Sequence, residues 1–329
     1  MTIINGIEID YITYRKNDIK EAILNNDPIE NKLRIIVVIS NPCLFARRYI
    51  LFKEFLNRLE LEESNVIIYA VEMCYGNQQF LVTDSKNPRH LQLRTRVPVW
   101  HKENMVNLAV QKLLPKEWKA FAWIDADIEF ESTTWATDTL KILNGSRDIV
   151  QLFSHACDMN REGQTMNVFN SAGYQFTKGL PFNSRQPNLW HPGFAWAITR
   201  KAYERIGGLY EKGILGSGDN IMMLSLIGKG IKSINMESSE GYVNSILEYE
   251  KKIKMLRFGY VPGVIRHHYH GSKINRRYHE RWAILSSNGY NPDIHITKDK
   301  NGILIPTTEF PEKMKREIYE YFLERKEDD

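Results

Sequence analysis

The run Phe121-Ala122-Trp123-Ile124-Asp125-Ala126-Asp127 constrains the fold of this chain more than any other segment. Four apolar residues in a row fit a strand buried on both faces, and two carboxylates separated by one residue close it. In a strand, residues i and i+2 point to the same side, so Asp125 and Asp127 would project together, their Cα atoms about 6.5 Å apart. An acidic pair at the carboxyl end of a strand in an open α/β sheet stands where such sheets bind ligands. Hard oxygen donors there suit a divalent cation and, through it, a phosphate.

The rest of the chain supplies the sheet such a strand requires. Arg34–Ser40 reads as a buried first strand, Arg47–Leu61 as a helix, Asn65–Met73 as a second strand ending in Glu72, and Leu91–Val97 as a half-exposed strand. Lys102–Leu114 has helical spacing and leads directly into the acidic strand. Strand alternating with helix in this order predicts a parallel sheet with right-handed crossovers. A further helix is expected up to Leu143, stopped by Asn144-Gly145, and another strand over Asp148–Ser154. From Met159 to Pro192 the composition is rich in Asn, Gly and Pro with scattered aromatics, which reads as a binding loop. Met314, Ile318 and Phe322 mark an amphipathic terminal helix over residues 311–325, docked on the core. Residues 1–32, with Asn26-Asp27-Pro28 near their end, read as a polar extension. No GxGxxG follows the first strand and no GxxxxGK[ST] occurs, so the dinucleotide fold and the P-loop are not indicated.

Overall charge says little: 44 Lys and Arg face 40 Asp and Glu, for a net +4. Its distribution says more. Between Lys251 and Arg281 stand nine Lys or Arg and one acid, together with His267, His268, His270 and His279. A local excess of this kind reads as an anion-facing surface, Lys251, Lys252 and Lys254 being its solvated part. The basic stretch is short and lacks interleaved aromatics, which argues against nucleic acid. Cys43, Cys74 and Cys157 are isolated and without CxxC spacing, so neither a disulfide framework nor a thiolate zinc site is expected. No signal-peptide core and no run long enough to span a bilayer is visible, which predicts a cytoplasmic protein, met in the cytosol, in a viral factory or at the cytosolic face of a membrane.

Three later segments complete the picture. Trp190-His191-Pro192-Gly193-Phe194-Ala195-Trp196-Ala197-Ile198 is an aromatic and glycine run. Gly207-Gly208-Leu209 is followed by Gly216-Ser217-Gly218-Asp219-Asn220, which opens an apolar helix. Ile265-Arg266-His267-His268-Tyr269-His270-Gly271-Ser272-Lys273 continues into Asn275-Arg276-Arg277. With the acidic strand, in this order, they resemble the GT-A fold glycosyltransferases, family 2-like, over about residues 34–281. The resemblance implies an α/β, Rossmann-like GT-A domain over 33–285, its mostly parallel sheet flanked by helices, with a C-terminal extension over 286–329. It implies a sugar transferred from a nucleotide-diphosphate donor, UDP- or GDP-linked, to a hydroxyl of a glycan, glycoprotein or glycolipid. By the same resemblance Asp125 and Asp127 bind the donor ribose and a divalent metal, His270 or His268 completes the metal site, and Asp219 is the base of an inverting reaction.

The chemistry of these residues agrees with those roles. A departing nucleoside diphosphate gains negative charge that a cation stabilises, and an imidazole among the ligands favours Mn2+ over Mg2+. HxH spacing on a strand would put His268 and His270 on one face, the turn at Gly271 favouring His270, with His267 third. An acceptor hydroxyl needs a base within hydrogen-bond reach, and Asp219 heads a helix after flexible glycines, where a plain capping role is the alternative. Lys273, Arg276, Arg277 and Arg281 are candidates to clamp the diphosphate. Glu72, Lys102 and Asn104 are candidates for the base or ribose. Trp190, His191, Phe194 and Trp196 are expected on the acceptor side, aromatic rings being platforms for sugar faces, although the tryptophans could equally fill the core. Two rivals are a carbohydrate-binding protein on a transferase fold and a sugar nucleotidyltransferase. The second should carry a Gly- and Lys-rich loop after the first strand, where Ser40-Asn41-Pro42-Cys43 stands instead.

Overall fold

The structure, a computed structural model, describes residues 2–4, 7–9, 17, 20, 24, 30–63, 65–182, 189–277 and 280–329. Asn26-Asp27-Pro28 and His279 therefore lie outside the described residues, as does part of the 159–192 stretch. Near the start a short antiparallel hairpin pairs β1 (Thr2–Ile4) with β2 (Ile7–Ile9).

β3 (Leu33–Ser40), β4 (Val66–Tyr75), β5 (His90–Thr95) and β6 (Ala120–Ile124) run parallel in one sheet, in the order β5-β4-β3-β6. α1 (Ala46–Glu62) links the first two strands, and α2 (Lys102–Lys112) carries the chain back across β3 to β6. Successive residues feed opposite layers: Ile36, Phe121 and Trp123 enter one core, while Ile35, Val37, Ala122 and Ile124 enter the other. Burial on both faces is why these strands read as continuous apolar runs rather than as alternation. The chain leaves β3 toward β4 on one side and returns as β6 on the other. The carboxyl ends of β3 and β6 thus border a topological switch point, where a crevice opens.

Beyond β6 the architecture is mixed. β7 (Ile128–Phe130), α3 (Trp135–Leu143), β8 (Ile149–Gln151), β9 (His155–Met159), β10 (Thr165–Ser171), α4 (Ala172–Thr177), β11 (Trp190–His191) and β12 (Ala195–Thr199) follow in order. Then come α5 (Arg200–Ile206), α6 (Gly218–Leu226), α7 (Glu240–Ile253), β13 (Phe258–Tyr260) and β14 (Val264–His267). The large sheet is completed as β6-β12-β8-β13, with β12 antiparallel to both of its neighbours. The sheet is therefore mixed and, as expected, mostly parallel; β12 is the exception, running back along β6 from the bend at 192–194. A second, five-stranded sheet has the order β11-β10-β9-β14-β7. It replaces part of the expected 159–192 loop, since Thr165–Asn170 pairs with β9, and Ser171 then caps α4 by accepting from the Tyr174 N–H.

The last segment holds α8 (Trp282–Ser287), α9 (Pro292–His295), a hairpin of β15 (Ile296–Lys298) with β16 (Leu304–Pro306), and α10 (Glu312–Glu324). Met314, Ile318, Tyr321 and Phe322 of α10 are buried in the same core as α2 and α6. The terminal helix docks on the core as its spacing indicated. No helix among the described residues is long and apolar enough to cross a membrane.

His101, just before α2, ties this segment to the sheet. Its Nε2–H donates to the Leu304 carbonyl (2.9 Å) and its Nδ1 accepts from the Tyr75 hydroxyl (3.2 Å), with the ring 1% exposed. Burial pushes its pKa from 6.5 down to about 4. Below pH 6.5 the unfolded chain binds a proton that the folded chain takes up only near pH 4. The contribution to stability is therefore complete above this window and falls as the pH drops through it, by about 3 kcal/mol. Urea melts between pH 7 and 4.5 should show a shallower acid loss for His101→Gln than for the wild type. Equal pH slopes would remove His101 as a source.

Candidate active site

The crevice at the switch point is a cleft of about 870 Å³, lined by Asp125, Asp127, Lys102, Asp219, His267 and His270 among others. Its size is that of ordinary small-molecule sites. The second sheet assembles it. β14 lies antiparallel to β7 with His267 opposite Ile128, and the His268 N–H donates to the Asp127 carbonyl (2.7 Å). Residues from late in the chain are thereby laid against the acidic pair.

The two aspartates point to different partners. Asp127 Oδ2 is 2.8 Å from His270 Nε2 and 3.8 Å from His267 Nε2. Ligand atoms of Asp127, His267 and His270 all lie within 4.8 Å of one another. Asp127 Oδ1 is buried with no hydrogen-bond partner among the described residues. Burial opposes charge on Asp127, but His270, His267 and Arg276 hold its carboxyl well below the usual range. Burial, with Arg276 adding to it, drives His270 down to about 4 against the pull of Asp127. An ionised carboxylate beside a neutral imidazole is the protonation state a metal needs of its ligands. One carboxylate and two imidazoles, with an orphaned oxygen among them, fit a divalent ion of the manganese-to-zinc series and disfavour Mg2+, which prefers an all-oxygen shell.

Asp125 instead meets Lys102, whose Nζ is 2.6 Å from Asp125 Oδ1 and 3.0 Å from Asp219 Oδ2. Burial raises the Asp125 pKa to about 6, with Lys102 pulling it down and Asp127 and Asp219 adding to the rise. Burial also works against charge on Lys102, but Asp125, Asp219 and Glu103 together hold its ammonium above the ordinary range. Asp219 lies in the first turn of α6, after Ser217, whose left-handed backbone (φ 69°) starts the helix without a side-chain cap. Gly218 stands beside it, and a Cβ there would force the buried Glu103 carboxylate to move. Burial raises Glu103 to about 8, helped by the charge of Asp219.

Of the other expected residues, Lys273, Arg276, Arg281, Trp190, His191 and Phe194 line the cleft. Arg276 donates to His270 and Arg281 to the Tyr321 hydroxyl. The His191 ring stacks on Phe194 at 3.9 Å, and its Nδ1 accepts from the Gly193 N–H (3.0 Å), which leaves the proton on Nε2. Burial, with the charges of Lys273 and Arg276 adding to it, keeps that ring well below the ordinary histidine range. Phe194 holds a left-handed backbone, φ 78°, a conformation that costs a non-glycine residue about 1 kcal/mol or more. The fully buried Gln151 brackets this turn by donating to the His191 and Gly193 carbonyls.

Five expectations place residues where the structure does not. His268 faces Glu129 (3.3 Å) instead of the Asp127 group, and His267 takes the place expected of it. β14 ends at His267, so strand alternation does not extend to His268 and His270. Glu72 lies three residues before the end of β4 and accepts from the N–H groups of Leu81, Val82 and Thr83, fixing a loop away from the cleft. Trp196 is 1% exposed in β12, stacked on Trp123 and Phe258, and donates from Nε1 to the Pro192 carbonyl. Arg277 pairs with Glu324 on the surface. Asn104 binds Glu211, the Gly302 carbonyl and the Leu304 N–H. Glu103 carried no expectation, although a second charged residue beside Lys102 at the head of an apolar helix was its visible signal.

Comparison with known proteins adds nothing to this geometry: no family model matches the chain, and no curated protein matches it in sequence.

Proposed function

We propose that the protein is a metal-dependent glycosyltransferase of the GT-A type, moving a sugar from a nucleoside diphosphate to a hydroxyl acceptor with inversion. The observation that carries this reading is the convergence of Asp127, His267 and His270 in one cleft with Asp125 and Asp219, which share the Lys102 ammonium. Asp127, His267 and His270 would hold the cation, Mn2+ by preference, and when bound it would stabilise charge on the departing diphosphate. The chain's own residues account for the rest. Lys273 and Arg276, on the same wall, supply donors for phosphate oxygens. Asp125, at the end of β6, is placed for the ribose. Asp219 Oδ2 takes the proton from the acceptor hydroxyl as its oxygen attacks the sugar carbon and the bond to phosphate breaks. Lys102 fixes the position of that carboxylate relative to Asp125. Trp190, His191 and Phe194 form the acceptor side, with His191 Nε2–H available to a sugar hydroxyl. A glycan, glycoprotein or glycolipid would supply the acceptor.

A carbohydrate-binding protein without catalysis has no evident use for Asp219 and the Asp127, His267 and His270 group lining one cleft. Calorimetry against a panel of UDP- and GDP-linked sugars, with and without Mn2+, tests the proposal. One donor should bind in the low micromolar to millimolar range, and only with the metal. Binding of free glycans without any nucleotide sugar would favour the carbohydrate-binding reading instead.

A further inference from the structure

Asp158 lies in the middle of the second sheet, on β9, where it is the register partner of His267 on β14. It stands between Cys157 and Met159 in sequence and is 1% exposed, where a lone carboxylate is costly. Two groups face it. His267 Nδ1 lies 2.8 Å from its Oδ1, and Lys273 Nζ lies 2.5 Å from its Oδ2. Lys273 also sits over the Phe169 ring, 4.6 Å from the centroid, so its ammonium is held on two sides.

This geometry separates the two histidines. A proton on Nδ1 of His267, given to Asp158, leaves the lone pair on Nε2, the nitrogen turned toward Asp127. His270 has no such assignment: its Nε2 lies 2.8 Å from Asp127 Oδ2, while the Arg276 guanidinium reaches both Nε2 (2.7 Å) and Nδ1 (3.1 Å). His267 is therefore preset to ligate through Nε2. A carboxylate behind a ligating imidazole fixes its tautomer and raises its basicity.

We propose that Asp158 is a positioning residue that holds His267 in its ligating tautomer and, through its second oxygen, holds Lys273 at the anion wall. One buried carboxylate thus couples the cation group to the phosphate clamp. The inference rests on the metal-binding reading of Asp127, His267 and His270 given above.

The test is titration of the full chain with Mn2+ alone, by calorimetry and electron spin echo, and then with inorganic pyrophosphate in the presence of Mn2+. Asp158→Ala should weaken Mn2+ binding by about 10- to 100-fold, and the spin echo should show one imidazole nitrogen fewer than in the wild type. Asp158→Asn keeps an oxygen to accept from Nδ1–H but loses the charge, so its Mn2+ affinity should fall by about 3- to 10-fold, less than for the alanine. Lys273→Met should weaken pyrophosphate binding more than it weakens Mn2+ binding. The near-isosteric Asn variant decides the matter if the Ala variant does not fold. Wild-type Mn2+ affinity and spin echo in a folded Asp158→Asn or Asp158→Ala would overturn the assignment while leaving the metal reading intact. A wild-type protein that binds no Mn2+ would overturn both.

Discussion

Asp219→Ala should bind the donor with Mn2+ as the wild type does, within about threefold, and lose transfer by about 10²- to 10⁴-fold, the range that a positioned general base contributes. The split follows from where the carboxylate stands. Asp219 belongs to the first turn of α6, outside the cation group, and is paired with Lys102. Removing it leaves Asp127, His267 and His270 in place and leaves Lys102 paired with Asp125. Loss of kcat with KM for the donor unchanged is the signature of an interaction made only in the transition state. Asp219→Asn is the control, equal in volume but unable to accept the proton. Transfer at the wild-type rate in either variant would remove Asp219 from the role of base, and loss of donor binding would make it a donor ligand.

The second large effect is expected at Asp127. Partners one shell out from a metal typically cost about 10- to 100-fold in affinity, so loss of the ligating carboxylate itself should exceed about 100-fold. Asp127→Ala should therefore bind no Mn2+ at micromolar concentrations, and no nucleotide sugar with it. Asp125→Ala should behave differently: its carboxylate is engaged by Lys102 and lies outside the cation group, so Mn2+ alone should still bind while the donor weakens. Equal Mn2+ loss in the two variants would contradict the division of labour between the two aspartates.

Much of the frame was legible in the sequence because burial on both faces leaves a plain mark. Residues 35–39 and 120–124 are apolar without interruption, and the acidic pair follows where the second of these strands ends. Strand direction leaves no such mark. The local pattern of Ala195–Thr199 is the same whichever way it runs, so its antiparallel course between β6 and β8 came only with the fold. The second sheet was hidden for a related reason: β10 is exposed over Thr165–Asn167 and reads as polar loop, although its pairing with β9 is regular beyond one irregularity.

At the site, residue types were readable and pairings were not. The cluster of histidines near 270 announced itself, but the choice among them depended on where β14 stops. Glu72 followed the rule that strand ends face ligands, yet β4 runs on to Tyr75 and lies one strand away from the switch point. Asp158 did carry a signal, an acid inside the apolar run of residues 156–159, whose meaning required the register with His267.

The measurement closest to the centre of this account is anomalous diffraction at the manganese edge from crystals soaked with Mn2+ and a nucleoside diphosphate. The account predicts one peak in bonding contact with Asp127, His267 and His270, with phosphate oxygens on its open side toward Lys273 and Arg276. A peak elsewhere, or a diphosphate bound in the cleft with no metal beside those three side chains, would contradict it.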